Sequence, residues 1–258
     1  MKVLFVGGYN PYTRLLGAKL AKNGLRFAVL NGESKEPQLP RHAHFAMETR
    51  YIASVLKSCR PDAVVVTAAY DEGPYLNGLE HVLTACAAAD HKRLIFLSSL
   101  DVYGTPGETR LPTEADIPRP ADPSGLRFAL GEDMCRRYET AGLKTAILRL
   151  GPCYGENAPD TPLNALLSRL QAGEALPLPR AGLYAPLHLE DMAEAVLQVL
   201  EAGYSPIYNL CASQVFTAEA LAACLQGATG TGNILLNEEA PSCKAADNAR
   251  FKSEYAWL

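Results

Sequence analysis

A chain of 258 residues that is 48% hydrophobic and 20% charged has the length and composition of a folded domain with a sizeable core, not of a disordered segment. Its formal charge of −4 argues against nucleic acid as the main partner, because phosphate binding leans on a basic surface and no basic cluster here exceeds Arg136-Arg137. Along the first half, strand and helix patterns alternate. Lys2–Val6 reads as a short apolar strand. Pro11–Asn23 reads as a helix with Leu15, Leu16, Ala18, Leu20 and Ala21 on a broad apolar face, closed by Asn23-Gly24. Strands are expected at Phe27–Leu30, around His44–Met47, at Ala63–Thr67 and at Leu94–Leu97, with helices near Arg50–Ser58 and Gly78–Ala89 between them. The β-branched run at Ala63–Thr67 suits a buried parallel strand. Such alternation predicts an α/β fold: a Rossmann-like, doubly wound parallel sheet covered on both faces.

Further along, Gly104–Pro123 is rich in Pro, Thr and Gly and reads as a loop. Leu126–Thr140 is expected to be a helix and Thr145–Leu150 a strand. After Gly155 the pattern loosens into helices at Leu163–Ala172, Asp191–Glu201 and Ala218–Leu225, a short strand at Ile207–Leu210, and a polar tail from Gly227 interrupted by Ile234–Leu236. The expected organisation is a dinucleotide-binding domain over residues 1–155, to which residues 186–212 return, and a small interleaved C-terminal lobe over residues 156–258 on the substrate side. No window approaches the roughly 20 apolar residues of a membrane span, and the N-terminal stretch does not read as a secretion signal. The seven cysteines form no C-x-x-C pair, so reduced thiols in the cytoplasm are expected, with no metal site.

The most informative stretch is Phe96-Leu97-Ser98-Ser99-Leu100-Asp101-Val102-Tyr103-Gly104. It resembles the S-S-x-x-V-Y-G segment of the extended short-chain dehydrogenases/reductases, the NAD-dependent epimerase/dehydratase family. Other stretches follow in the order of that family. Val64–Ala69 resembles V-I-H-L-A-A, and Gly78–Leu83 resembles G-T-x-N-L-L. Arg149–Gly155 resembles R-P-x-x-V-Y-G, Pro186–Ala193 resembles F-V-H-V-D-D-V-A, and Ile207–Leu210 resembles the Y-N-L-G strand. The resemblance implies NAD or NADP as cofactor and a small-molecule substrate, nucleotide-sugar-like or another carbonyl/hydroxyl compound. It also implies pairing of two copies through the helix at residues 126–140.

One family feature is missing. The catalytic Tyr-x-x-x-Lys pair falls at Ser124 and Phe128, and no Tyr in the chain has Lys four residues later. A Ser hydroxyl does not ionise near neutral pH, and Phe128 can neither tune an acid nor hold a ribose. The chain therefore resembles the atypical members, which keep the fold without the pair. Two readings stand side by side: an atypical oxidoreductase or epimerase, and a catalytically inactive dinucleotide sensor or scaffold. For the enzyme, the resemblance places Ser99 at the substrate carbonyl and puts Cys153, Tyr154 and His188 on segments that border the cleft in relatives; Tyr103, Tyr154 and His188 are the candidate acid/base groups. Each also has a structural reading: Ser99 at a strand end, Tyr103 in packing, His188 as a brace for the following helix.

The family's G-x-x-G-x-x-G loop, anchored on Gly7, puts Asn10 and Thr13 where glycines stand. Asn10 can take a left-handed backbone or cap the helix, with Pro11 suited to its first position. Its side chain is expected in the pyrophosphate approach, where Gly would open the site. The candidate cofactor residues are Gly7, Gly8, Asn10, Tyr12, Thr13, Asn31, Thr67, Ala68, Ala69 and Ser98. Asn31, at the ribose position, fits a 2′-hydroxyl and does not repel a 2′-phosphate, so NAD and NADP are both open; Asn31-Gly32 also reads as a plain turn.

Overall fold

The computed structural model describes residues 1–8, 10–30, 43–45, 48–67, 75–89, 93–105, 110–156, 158, 160–202, 206–230, 232–239 and 243–255. In chain order the elements are β1 (Lys2–Val6), α1 (Pro11–Lys22), β2 (Arg26–Leu30), β3 (Ala43–Phe45), α2 (Ile52–Cys59), β4 (Ala63–Val66), α3 (Tyr75–Ala88), β5 (Arg93–Ser99) and α4 (Pro123–Glu139). They continue with β6 (Lys144–Leu150), β7 (Cys153–Tyr154), α5 (Pro162–Gln171), β8 (Ala175–Pro179), β9 (Leu183–Tyr184), β10 (Leu187–His188) and α6 (Leu189–Ala202). The chain closes with β11 (Ile207–Leu210), β12 (Phe216–Thr217), α7 (Ala218–Thr229), β13 (Asn233–Asn237), β14 (Cys243–Lys244) and α8 (Ala249–Glu254).

The large sheet has the order β11-β6-β5-β4-β1-β2-β3. β1 pairs in parallel with β2 on one side and β4 on the other, so the strand order reverses beside the loop that follows β1. That reversal is the crevice-forming feature of doubly wound sheets. The sheet strands are apolar almost throughout: Val3, Leu4, Phe5, Val29, Val64, Val65 and Ile95 are buried completely. Burial on both faces explains why these strands read as continuous apolar runs without alternation. Among the described residues, no helix is long and apolar enough to cross a membrane.

The chain divides into two compact units. The first holds residues 1–98, 130–148 and 193–207, and the second holds 99–129, 149–192 and 208–258. The second has its own small core, in which Leu163 and Leu170 of α5, Leu176 of β8, Tyr184 of β9, and Leu221 and Leu225 of α7 pack together. The parallel β8/β13 pair explains the apolar Ile234–Leu236 run in the polar tail. Helix α4 starts three residues before the Leu126 expected from its apolar pattern. Pro123 begins it, and the Asp122 side chain accepts from Gly125 N at 2.8 Å, a capping arrangement that apolar periodicity does not register.

Candidate active site

In the first unit, β1 ends on Gly7 and Gly8, whose φ angles are +127° and +79°. A Cβ at Gly7 would lie 2.4 Å from the Thr67 carbonyl oxygen, so only glycine fits that close approach. Among the described residues of this loop, positive φ is confined to these two glycines. Asn10 does not share it; at φ −100° and ψ 171° it is extended and caps α1. Its Oδ1 accepts from Thr13 N at 2.9 Å, with Pro11 in the first turn as expected. Its Nδ2 donates to the Thr67 carbonyl at 2.6 Å. Thr13 is fully buried, and its hydroxyl meets the Thr67 hydroxyl at 2.8 Å.

The two side chains that replace glycines are thus committed to Thr67, which follows β4. The side chain of Asn10 caps and braces the loop, where the sequence placed it in the phosphate approach. Tyr12 is buried in the same helical turn. A glycine turn packed closely onto β4, at the start of a helix and beside the strand-order reversal, is the setting in which a helix N-terminus receives a pyrophosphate. The residues of this loop therefore fit a dinucleotide. Asn31, Ala68 and Ala69 lie outside the described residues. Ser98 is buried and donates to Glu132 Oε1 at 2.7 Å. The other oxygen of Glu132 accepts from Arg136 at 3.0 Å. Glu132 has no exposed surface, and its four-residue spacing from Arg136 was the sequence signal that could have drawn attention to it.

In the second unit, Ser99 ends β5 and opens a 3-10 turn over Leu100–Tyr103. Its Oγ accepts from Asp101 N at 3.1 Å, it is only 7% exposed, and its proton has no acceptor among the described residues. The turn is held at three points. Lys244 Nζ donates to Asp101 Oδ1 at 2.6 Å. Cys243 N donates to the Gly104 carbonyl at 2.7 Å. Tyr103 places its hydroxyl 2.8 Å from both the Thr113 carbonyl and Asn209 Oδ1, either of which can take its proton, and accepts from Arg149 Nη1 at 2.6 Å. Burial outweighs the Arg149 charge and pushes the Tyr103 phenol up to about 12. Gly104 leaves the turn at φ +65°, where a Cβ would lie 2.1 Å from the Arg119 carbonyl oxygen.

The first turn of α4 lies on the same segment, since a Cβ at Gly125 would come within 2.4 Å of the Asp101 carbonyl oxygen. Ser124 directly precedes that contact. Phe128, one turn on, is 5% exposed and packs as a core residue.

Tyr154 and His188 meet. β7 and β10 pair in parallel with Tyr154 opposite His188, and the rings contact edge to face at 5.1 Å. His188 Nδ1 accepts from Glu190 N at 3.2 Å, so the neutral ring carries its proton on Nε2 while bracing the start of α6. Tyr154 is 40% exposed, whereas Cys153 is buried with its thiol on the Gly151 carbonyl. The structure thus joins two of the sequence candidates as a ring pair and places Ser99 and Tyr103 on one turn. Sequence reasoning missed Asp101 and Lys244. Asp101 stood inside the quoted motif, and Lys244 carried no signal at all.

The sequence profile of the NAD dependent epimerase/dehydratase family matches residues 15–211, a span that contains Ser99, Tyr103, Tyr154 and His188. The chain belongs to that family. Among solved structures it is similar to a Thermus thermophilus UDP-glucose 4-epimerase in complex with NAD, at 22% identity and a TM-score of 0.85, covering 100% of this chain and 94% of that one. A Thermotoga maritima UDP-glucose 4-epimerase with UDP-glucose matches at 19% identity and a TM-score of 0.84, covering 98% and 92%. A Bacillus anthracis dTDP-glucose 4,6-dehydratase with NAD gives 19% identity and a TM-score of 0.84, covering 100% and 91%. These likenesses show the shared fold. No curated protein matches the sequence significantly.

Proposed function

We propose that the chain binds NAD or NADP at the β1–α1 loop and acts as an atypical oxidoreductase or epimerase on a nucleotide sugar or a related carbonyl/hydroxyl compound. The observation that carries the reading is Ser99: a buried hydroxyl with an uncommitted proton, at the end of β5 in a chain of this family. The nucleotide-sugar ligands of the similar epimerases support the substrate class.

Gly7, Gly8 and the start of α1 would hold the pyrophosphate, and a bound nicotinamide would supply the hydride chemistry. Ser99 donates its proton to the substrate oxygen. Ser124 and Phe128 cannot run the family's proton relay, so proton transfer falls to the Tyr154–His188 pair. Its exposed phenol can exchange with solvent, and the imidazole ring lies directly against it. Tyr103, held by Arg149 and Asn209, positions the turn. Residues 156–258 form the substrate side. Two copies pair through α4, whose Leu126 and Leu130, one turn apart, are both exposed.

Calorimetric titration with NAD, NADP and then UDP-glucose tests the reading. Saturable binding of one dinucleotide, followed by binding of the sugar nucleotide, is expected. No dinucleotide binding at millimolar concentration overturns it. Sedimentation of the wild type against Leu130→Glu tests the pairing, and a monomeric wild type overturns that part.

A further inference from the structure

Within the second unit, three polar side chains converge on the Ser99 turn and keep capacity to spare. Asp101 gives one carboxylate oxygen to Lys244 at 2.6 Å, and its other oxygen has no partner among the described residues. The Lys244 ammonium makes that bond and no other among the described residues. Ser99 keeps its proton uncommitted one bond away from the same turn, with its oxygen held by Asp101 N. The Asp101 and Lys244 side chains are 14% and 32% exposed, shielded from bulk water yet reachable.

A free carboxylate oxygen accepts, an ammonium donates, and a hydroxyl does either. That set matches neighbouring hydroxyls of a sugar ring, each of which both donates and accepts. An anionic group fits poorly, because the Asp101 carboxylate repels it. An apolar group would leave both charges desolvated without compensation.

We propose that Asp101 and Lys244 form a sugar-recognition subsite, reading a pair of hydroxyls on the hexose of a nucleotide sugar whose reacting oxygen lies at Ser99. The inference rests on the nucleotide-sugar reading above and names the residues that set its specificity. Lys244 brings the C-terminal segment into that recognition through β14, which also fixes Gly104 by the Cys243 N–H. A charged hydrogen bond to a sugar hydroxyl governs binding of the hexose and leaves the nucleotide half of the ligand untouched.

The experiment is calorimetry on the full chain with NAD present, titrating UDP and UDP-glucose into the wild type, Lys244→Met and the near-isosteric Asp101→Asn. Both variants should weaken UDP-glucose by about tenfold or more, the size of one charged hydrogen bond, and change UDP by less than about twofold. Lys244→Arg should recover part of the loss. If UDP and UDP-glucose weaken equally in both variants, the pair only supports the turn and the inference is wrong. If the wild type prefers UDP-glucose over UDP and both variants keep that preference, the inference alone fails. If the wild type binds NAD but neither UDP nor UDP-glucose, the nucleotide-sugar reading fails and takes the subsite with it.

Discussion

The β1–α1 loop and the Ser99 turn are both strand ends on which the proposed function rests, and they are maintained in opposite ways. The loop has lost two of the glycines that its family resemblance implies, and neighbouring side chains make good the loss: Asn10 and Thr13 both close onto Thr67. The turn has kept its motif, yet its geometry depends on Arg149, Asn209, Cys243 and Lys244, all distant in sequence. A degenerate motif can therefore be structurally self-sufficient, and an intact one can lean on the rest of the chain. Retained letters report chemistry at a position; they do not report what holds that position.

The strongest way to test this contrast is to add one methyl group to each region. Gly7→Ala must fit a Cβ 2.4 Å from the Thr67 carbonyl at φ +127°, and Gly104→Ala one 2.1 Å from the Arg119 carbonyl at φ +65°. Each should cost about 3 kcal/mol or more in urea denaturation, combining backbone strain with overpacking. A tolerated Gly7→Ala would mean that the loop does not need its close approach.

Tyr103→Phe comes next. It removes the hydroxyl that accepts from buried Arg149 and meets Asn209, and should cost about 1–3 kcal/mol. The same residue shapes the alkaline limb of stability. In the unfolded chain the phenol loses its proton near its ordinary value of 10, whereas the folded chain holds it until about 12. Stability should thus be complete below pH 10 and fall as pH rises towards 12, because the unfolded state then binds fewer protons. Tyr103→Phe should remove that part of the slope. It should leave the part that buried Cys86 and Cys211, also raised to about 12, contribute from pH 9 upward. An unchanged slope would mean that Tyr103 opens to solvent before it titrates.

Smaller effects sharpen the loop side of the comparison. Thr67→Val strands the buried Thr13 hydroxyl and should cost about 1–2 kcal/mol by thermal unfolding. Asn10→Gly removes a cap and the bond to the Thr67 carbonyl, for about 0.5–1 kcal/mol, and should not tighten NAD binding. Tighter binding would show that the side chain stands in the phosphate approach after all.

The sheet was legible because its strands are buried on both faces, so Ala63–Val66 and Leu94–Leu97 appear as unbroken apolar runs. Helix α1 was legible because Asn10, Pro11 and Asn23-Gly24 mark both of its ends. The second unit was harder to read. β7, β9, β10, β12 and β14 are two residues long, too short for any periodicity, yet the β7/β10 register is what sets Tyr154 against His188. Ser99 and His188 were legible through the family motifs around them. Asp101 and Lys244 were not recognised as a pair, because a long-range ion pair leaves no mark in local sequence. Nor does local sequence reveal that Thr13 can stand in for glycine, since that depends on a hydroxyl from β4's end.

Lys244 reaches Asp101 across 143 positions of chain, and Tyr103 reaches Asn209 across 106, whereas Asn10 needs only the 57 to Thr67. During synthesis Thr67, onto which Asn10 and Thr13 close, is made long before residue 243. The Ser99 turn has to wait for β14. Closing so long a loop is slow as well as late, because its entropy is lost before the contact forms. A polypeptide stalled or cut before residue 243 keeps Thr67 for Asn10 and Thr13 but lacks two of the ties that set its serine, so the competence of that turn records that synthesis has passed residue 244.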